Sequence, residues 1–423
     1  MKQVKIGLIG FGTVGSGVHT LLARNAELIR ERTGISMEIS MICDLREDQV
    51  KKAAPGIKVT GKWQDVTGSK DIDIIVELIG GIEPANTIIL EALRSGKNVV
   101  TANKKLLAEQ GQEIFDTAAE SGVTIGFEAS VGGGMPCVMA LKNGLAGNRL
   151  RSVIGILNGT TNYILTMMEE EGLTFDRALK LAQDKGFAEA DPTFDIEGHD
   201  AGHKIALLSM IAFNRRIDYF SIPVEGISRI SDVDIAHARD MGYVIRLLGI
   251  ARPVNGLLDI SVHPTMLSSR HPLAAVRNEY NAVMFDGDMT DPVILYGKGA
   301  GSLPTASAII SDIARIVSVS EDTRTPVAVN GDAKYVEPAN RRSRYYIRLH
   351  TEDSPGILSK ISGVFGKFNI SLASVIQKEV NAPSVPLIFM THEAEEDRII
   401  NAVKEISLFD FVADSVIFIR VED

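Results

Sequence analysis

Cysteine is scarce in this sequence: Cys43 and Cys137 are the two in a chain of 423 residues. They form no C-x-x-C and no ligand cluster, so neither a disulfide framework nor a structural zinc site is expected. A reducing, cytoplasmic setting fits that usage. A basic surplus is lacking as well. Lys and Arg number 44 against 54 Asp and Glu, a formal net charge of −10. Nucleic acid is therefore not an expected partner. Apolar runs are short. Residues 205–213 are among the longest, far below the ~20 residues of a membrane span, so no membrane partner is expected. The chain opens on Val4-Lys5-Ile6-Gly7-Leu8-Ile9-Gly10, a strand running into glycines rather than a charged segment, an apolar segment and a cleavage site. Repeats and low-complexity tracts are also missing.

Glycine is in slight excess, 38 residues or about 9% against about 7% on average. Eleven of them fall within 7–17, 132–134 and 297–301, three loops rather than a diffuse background. The 45% hydrophobic and 23% charged content is ordinary for a globular chain, and the length suggests two to four domains.

Strand and helix signals alternate over residues 1–130. Short apolar runs at 4–9, 39–43, 72–78, 98–101 and 123–127 are separated by helical periodicity at 13–32 and 87–94. That alternation predicts a parallel sheet covered on both faces. Residues 131–320 predict a second α/β region, with strands at 153–157, 258–263 and 283–285. Helices are expected there at 161–171, 175–185, 199–213 and 305–317. Residues 321–344 carry Pro326, Pro338 and the cluster Arg341-Arg342-Ser343-Arg344, the composition of a linker. Over 345–423 the predicted order is βαββαβ, the ferredoxin-like pattern.

Gly10-Phe11-Gly12-Thr13-Val14-Gly15 is G-x-G-x-x-G between a strand and a helix. The first glycine allows the tight turn, the second lets the backbone approach a pyrophosphate, and the third lets helix and strand pack closely. The helix N-terminus then offers N–H groups to phosphate. Asp44 ends the second strand, where a carboxylate would accept from both ribose hydroxyls of NAD. Arg46, two residues on, would instead meet the 2′-phosphate of NADP, or lie on the surface as a solvated cation. Both cofactors stay open. Thr101-Ala102-Asn103-Lys104-Lys105 follows the fourth strand, at the carboxyl edge where ligands bind in such sheets. Glu128-Ala-Ser-Val131-Gly-Gly-Gly-Met135 could hold a cation on carbonyl oxygens or act as a plain hinge. Four carboxylates, Glu189, Asp191, Asp195 and Glu197, precede His199-Asp200-Ala-Gly-His203-Lys204. Asp200 and Lys204 share one helix face, where they could serve proton transfer or form a surface ion pair. A zinc reading of His199 and His203 lacks a third ligand. A second glycine loop, 297–301, leads into the helix at 305–317.

Together these motifs resemble homoserine dehydrogenase in its long form. The matching pieces are GFGTVG, TANK, FEASVGGGMP, ILNGTTNYIL, GFAEADPTFDIEGHDAGHK and GKGAGSLPTASAIISDI, in the family's order. Asp353-Ser-Pro355-Gly356-Ile-Leu resembles the opening of ACT domains, which bind amino acids. The resemblance implies a Rossmann-type domain over 1–130, an α+β substrate and dimerisation domain over 131–320, and an ACT domain over 345–423. It implies reversible reduction of L-aspartate 4-semialdehyde to L-homoserine with NADP or NAD, on the route to threonine and methionine. By resemblance, Lys204 is the proton donor and Asp200 shapes the site. Lys104 holds the reacting oxygen and the nicotinamide end, with Lys105 beside it. Glu189 grips the substrate ammonium, while Asp195, Gly159 and Thr161 line the substrate pocket. Gly10, Phe11, Gly12, Thr13, Val14, Gly15, Asp44, Arg46, Thr101 and Gly301 would meet the cofactor. Carbonyls of Glu128, Val131, Gly133 and Met135 would surround a sodium ion. Asp353, Pro355 and Gly356 would take an amino-acid effector, threonine by expectation, and the chain would be a homodimer or homotetramer.

Two rivals stand beside this reading. One is another amino-acid dehydrogenase acting on an imine, against which the Glu189–Lys204 block speaks. The other is an amino-acid-sensing regulator that keeps a nucleotide fold; it would carry a basic face, which the charge balance does not suggest.

Overall fold

The computed structural model describes residues 2–318, 329–377, 384–413 and 415–422. The chain forms two compact units of three segments each. The first comprises Met1–Gly159, Asp200–Ile222 and Glu279–Ala333; the second comprises Thr160–His199, Pro223–Asn278 and Lys334–Asp423. Neither unit is continuous along the chain.

In the first unit, β1 (Lys2–Ile9), β2 (Ile35–Cys43), β3 (Lys58–Thr60), β4 (Ile74–Glu77), β5 (Asn98–Thr101) and β6 (Ile125–Gly126) form one sheet in the order β3-β2-β1-β4-β5-β6. Every pairing in it is parallel. All four β4 residues are buried, as expected of a strand covered on both faces. The strand order reverses between β1 and β4, the switch point where such sheets bind ligands at their carboxyl ends. The crossovers are α1 (Thr13–Thr33), α2 (Glu47–Ala53), α3 (Trp63–Thr67), α4 (Ala85–Arg94) and α5 (Lys104–Glu120). Gly34 ends α1 at φ 72, its N–H donating to Arg30 O, the left-handed stop that favours glycine. The Asn103 side chain caps α5 by accepting from Leu106 N–H at 3.2 Å.

The chain continues through α6 (Cys137–Met139), β7 (Leu150–Ile156), α7 (Gly159–Glu171), α8 (Phe175–Asp184), α9 (Thr193–Ile196), α10 (His199–Phe213) and α11 (Asp232–Asp240). Then come two hairpins, β8 (Tyr243–Val254) with β9 (Leu257–Ser268) and β10 (Tyr280–Gly287) with β11 (Asp291–Lys298), and finally α12 (Ser302–Ser318). In the first unit β10 pairs antiparallel with both β7 and β11. Helix α12 returns to the parallel sheet. Its Ala306, Ile309 and Ile313 share one core with Val4, Ile6 and Leu8 of β1 and with Val18 and Leu22 of α1. The approach is close enough that a Cβ on Gly17 would stand 2.6 Å from Ser302 O.

In the second unit, β8 and β9 are antiparallel along their full length and turn at Asn255 (φ 50) and Gly256 (φ 83). Positive φ at both positions is the tight hairpin turn that Asn-Gly favours. The C-terminal region contains β12 (Arg342–Thr351), α13 (Ile357–Lys367), β13 (Leu372–Gln377), β14 (Val385–Thr391), the short β15 (Ala394–Glu395), α14 (Glu396–Ile406) and β16 (Ile417–Glu422). The strands run in the order β16-β12-β14-β13, with all neighbours antiparallel. That is the ferredoxin-like βαββαβ arrangement. One face packs Tyr345, Ile347, Leu349, Ile361, Phe365, Phe389 and Ile399 into a separate core.

This sheet does not end at its own edge. β16 also pairs in parallel with β9, Arg420 opposite Thr265 and Glu422 opposite Leu267. Ion pairs reinforce the seam: the buried Arg348 with Asp234 at 2.6 Å, Arg341 with the half-buried Asp259 at 2.6 Å and the half-buried Arg252 with Glu422 at 2.9 Å. The stretch read as a linker, 321–344, is accordingly built in where it is described; its residues 321–328 lie outside the described residues. Tyr335 bridges Leu258, Arg341 is buried, and Arg342 already begins β12. Composition registers the arginines but not the carboxylates that receive them.

Candidate active site

Strand β1 delivers the chain to Gly10, which turns it at φ 96, a conformation that costs glycine little. A Cβ on Gly10 would stand 2.8 Å from the Leu78 backbone, and one on Gly15 only 2.1 Å from Gly10 O. A Cβ on Gly12 would meet nothing within 4 Å. Two of the glycines are therefore imposed by the turn packing on its helix. The middle one leaves the main chain open from outside. Gly12 caps α1 without a side-chain hydrogen bond of its own, which suits an anion at that helix N-terminus. Ser302 Oγ donates to Thr13 O at 2.7 Å and steadies the first turn from α12. Phe11 is buried, with Val14 half-buried against the same core.

Asp44 follows β2. Its carboxylate accepts the Phe11 N–H at 2.8 Å, the Arg46 N–H at 2.9 Å and both Nε and Nη2 of Arg46 at 3.0 Å. These partners, the Arg46 guanidinium foremost, hold its pKa down at about 2. Arg46 keeps about half of its side chain exposed. The carboxylate and the guanidinium thus stand together, and the cation lies on the solvent side. An open glycine, a helix N-terminus and an acceptor at the end of the second strand are groups that could hold a dinucleotide.

The carboxyl edge of β5 carries the next group. Thr101 Oγ donates to the buried Glu77 at 2.7 Å, and Asn103 Nδ2 donates to Gly81 O at 2.6 Å. This fixed turn places Lys104 as the first residue of α5. Its Nζ lies 2.6 Å from Asp200 Oδ1. From α10, Lys204 Nζ lies 2.7 Å from Asp200 Oδ2 and donates to Leu157 O at 2.6 Å. Asn158 Nδ2 donates to Asp200 Oδ2 at 2.8 Å. One buried carboxylate therefore holds two lysines from two helices. Burial pushes the Asp200 carboxyl up, but Lys204 and Lys104 more than offset it and hold it well below the usual carboxylate range. Lys105 is exposed, so the paired lysine of the two is Lys104.

The two later glycine loops lie against each other. A Cβ on Gly133 (φ 57) would stand 2.5 Å from the Gly299 backbone, and Gly134 would abut Pro304. Gly134 N–H donates to Lys298 O at 3.1 Å. Close packing thus accounts for glycines that the sequence also allowed as a hinge. Glu128, Val131, Gly133 and Met135 are buried. The Glu128 carboxylate is taken by the Val138 and Met139 N–H groups at 2.8 Å each. Main-chain oxygens of this loop are hard donors, the chemistry an alkali cation takes. Gly301 is exposed at φ 125. Gly159 stands where a Cβ would lie 2.6 Å from Glu279 O, so packing requires it as well.

In the second unit Glu189 is exposed and its carbonyl accepts from Gln183 Nε2 at 3.1 Å. Asp195 accepts from Thr160 Oγ at 3.2 Å. Thr161 is buried beside it in the chain. A separate cavity of about 320 Å³ is lined by Asp353, Ser354, Pro355, Gly356, Leu358 and Gln377. Gly356, at φ 91, heads α13, and Gln377 Nε2 donates to Asp353 at 3.2 Å.

The sequence did not single out Glu77, Glu109 or the Leu157 carbonyl. Each acts through a partner distant in the chain, and no local spacing marks them.

Family models match the chain in three places: homoserine dehydrogenase NAD binding domain over 10–128, homoserine dehydrogenase over 136–314 and ACT domain over 345–407. A homoserine dehydrogenase of Neisseria gonorrhoeae is 42% identical, covering 100% of this chain and 99% of the relative. One of Pseudomonas aeruginosa is 40% identical with the same coverage. The crystal structure of a homoserine dehydrogenase from Thiobacillus denitrificans superposes with a TM-score of 0.95 at 41% identity, over 100% of this chain and 99% of that one. Likeness of this degree over the whole length places the chain in the homoserine dehydrogenase family, oxidoreductases that act on a CH–OH group with NAD(P).

Proposed function

We propose that this chain interconverts L-aspartate 4-semialdehyde and L-homoserine on the route to threonine and methionine, with Lys204 as the proton donor and acceptor. The observation that carries the reading is the Lys104–Asp200–Lys204 cluster, two ammonium groups sharing one buried carboxylate. A bound nicotinamide supplies or accepts the hydride. Lys204 gives its proton to the carbonyl oxygen as negative charge develops there, and takes it back from the hydroxyl in the reverse direction. Lys104 holds the same oxygen as a second cation, stabilising the charge without itself losing a proton. Asp200 holds both side chains in place. Glu189 takes the substrate ammonium, and Asp195, Thr161 and Gly159 shape the substrate pocket.

Gly10 to Gly15, Thr101, Lys105 and Gly301 hold the cofactor. Asp44 and Arg46 meet its ribose, and the exposed guanidinium supports a 2′-phosphate without excluding NAD. Carbonyls of Glu128, Val131, Gly133 and Met135 hold a monovalent cation, sodium by family resemblance. The cavity at Asp353, Pro355 and Gly356 takes threonine as a feedback effector, its ammonium on Asp353 and its carboxylate at the head of α13. Residues 1–130 serve the cofactor, 131–320 the substrate and 345–423 regulation, with 321–344 joining the last two. The exposed Ile294 and Tyr296 on β11 support self-association as a homodimer or homotetramer, in the cytoplasm.

One assay tests the core of this: homoserine oxidation with NAD and NADP in parallel, with and without threonine. Lys204→Ala should cut kcat by ~10²–10⁴ while leaving cofactor affinity nearly unchanged. Near wild-type kcat would remove Lys204 from its role, and a rate indifferent to threonine would favour an ACT module that binds nothing.

A further inference from the structure

Polar contacts join helices α5 and α10 at two described positions. One is the catalytic pair Lys104–Asp200. The other lies deeper: His203 Nε2 stands 2.9 Å from Glu109 Oε1. His203 is 1% exposed and Glu109 12% exposed at the side chain. The imidazole also stacks on Tyr219, centroids 4.1 Å apart and planes 29° apart. Histidine 203 directly precedes Lys204 and follows Asp200 by three residues, so the three side chains arise from little more than one turn of α10.

We infer that Glu109 and His203 are a positioning pair that fixes α10 against α5, so that Asp200 can receive Lys104 and Lys204 together; this rests on the reading of Lys204 as the proton donor. The Lys104–Asp200 contact cannot set that register alone, because Lys104 is a long side chain, 34% exposed. A buried planar ring, hydrogen-bonded at its edge and stacked on its face, has far less freedom. Placement matters at this scale, since a shift of about 1 Å at reacting groups can cost ~10²-fold in rate. Burial pushes the His203 imidazole below its ordinary pKa, against the pull of Glu109 on α5 and Asp200 on α10 and with Lys104 adding to the fall. The ring keeps its edge on Glu109 while Tyr219 covers its face.

The test uses the full chain, with kcat and KM for homoserine and cofactor measured across pH. His203→Ala should lower kcat by ~10-fold to 100-fold, with the cofactor KM within about twofold of wild type. His203→Gln, which restores an N–H at the same reach, should recover most of that loss. Glu109→Ala removes the acceptor and should lower kcat to about the same extent as His203→Ala, while Glu109→Gln, which keeps one, should stay within about threefold of wild type. A His203→Ala enzyme within about threefold of wild-type kcat, a His203→Gln enzyme no better than His203→Ala, or a Glu109→Ala enzyme with wild-type kcat overturns the inference. Lys204→Ala run alongside separates the two failures. If Lys204→Ala is active, the proton-donor reading falls. If it is inactive while His203→Ala is unaffected, only the positioning pair falls.

Discussion

Lys204 stands one helical turn beyond Asp200, with its ammonium 2.7 Å from the carboxylate and both groups buried. An anion that close favours the charged lysine, by about 4 kcal/mol at 4 Å and an effective dielectric constant of 20. Asp200→Asn keeps an acceptor but loses that charge, leaving two lysines facing each other. The maximal rate of homoserine oxidation should fall by about tenfold or more, because the base is less well aimed. Steady-state kinetics of the variant at saturating cofactor decide this; a kcat near wild type would contradict it.

Two glycines in one motif should behave in opposite ways. Gly12 has φ −80, which any residue can adopt, and a Cβ there meets nothing. Gly12→Ala should therefore melt at the wild-type temperature and fail in cofactor binding. A Cβ on Gly15 would collide with Gly10 O at 2.1 Å. Gly15→Ala should lose roughly 1–3 kcal/mol or more of stability from overpacking. Thermal melts beside cofactor titrations distinguish the pair.

The parts legible in the sequence are those governed by local rules. The glycine turn needs only its own spacing, and the alternation over 1–130 needs only periodicity. The strand Tyr243–Val254 went unread because its apolar run, Val-Ile-Arg-Leu-Leu-Gly-Ile-Ala, suits a buried helix as well as a strand. Helix α12 was read as a helix, but periodicity marks its apolar face without naming α1 as the surface it covers. The pairing of β16 with β9 is likewise invisible, since register between distant strands is set by tertiary packing. At the site, Asp200 and Lys204 were legible as helix neighbours. That Lys104 shares their carboxylate and Lys105 does not depended on where α5 begins.

Arg348 and Asp234 tie the C-terminal sheet to α11. The guanidinium lies 2.6 Å from a carboxylate with no exposed side-chain surface, which also accepts from the Tyr346 hydroxyl at 3.2 Å and caps α11 with Ser231. Arg348→Met leaves that carboxylate buried without its cation, which should cost ~3–5 kcal/mol. Adding Asp234→Asn removes the stranded charge, so the double variant should lose less than the two singles summed. Urea denaturation of the four proteins measures the coupling, and strict additivity would show that the contact is incidental.

Asp44 offers a test by acid. Its pKa is lowered from an ordinary 3.8 to about 2, chiefly by the Arg46 side chain, with the Arg46 and Phe11 N–H groups adding to it. A carboxyl depressed in the folded state stabilises the protein fully above its unfolded value, and the contribution is lost as the pH falls through the folded one. Asp44→Asn lacks this contribution at every pH. The stability gap between wild type and Asp44→Asn should therefore be constant above about pH 5, narrow from near pH 4 and close towards pH 2. Added salt should shrink the gap at neutral pH, because Arg46 is half exposed and its attraction is screened. A gap that persisted at pH 2 would mean that Asp44 stabilises the turn through the shape of its hydrogen bonds rather than through its charge, and the Asp44–Arg46 pair could then not discriminate between cofactors by electrostatics.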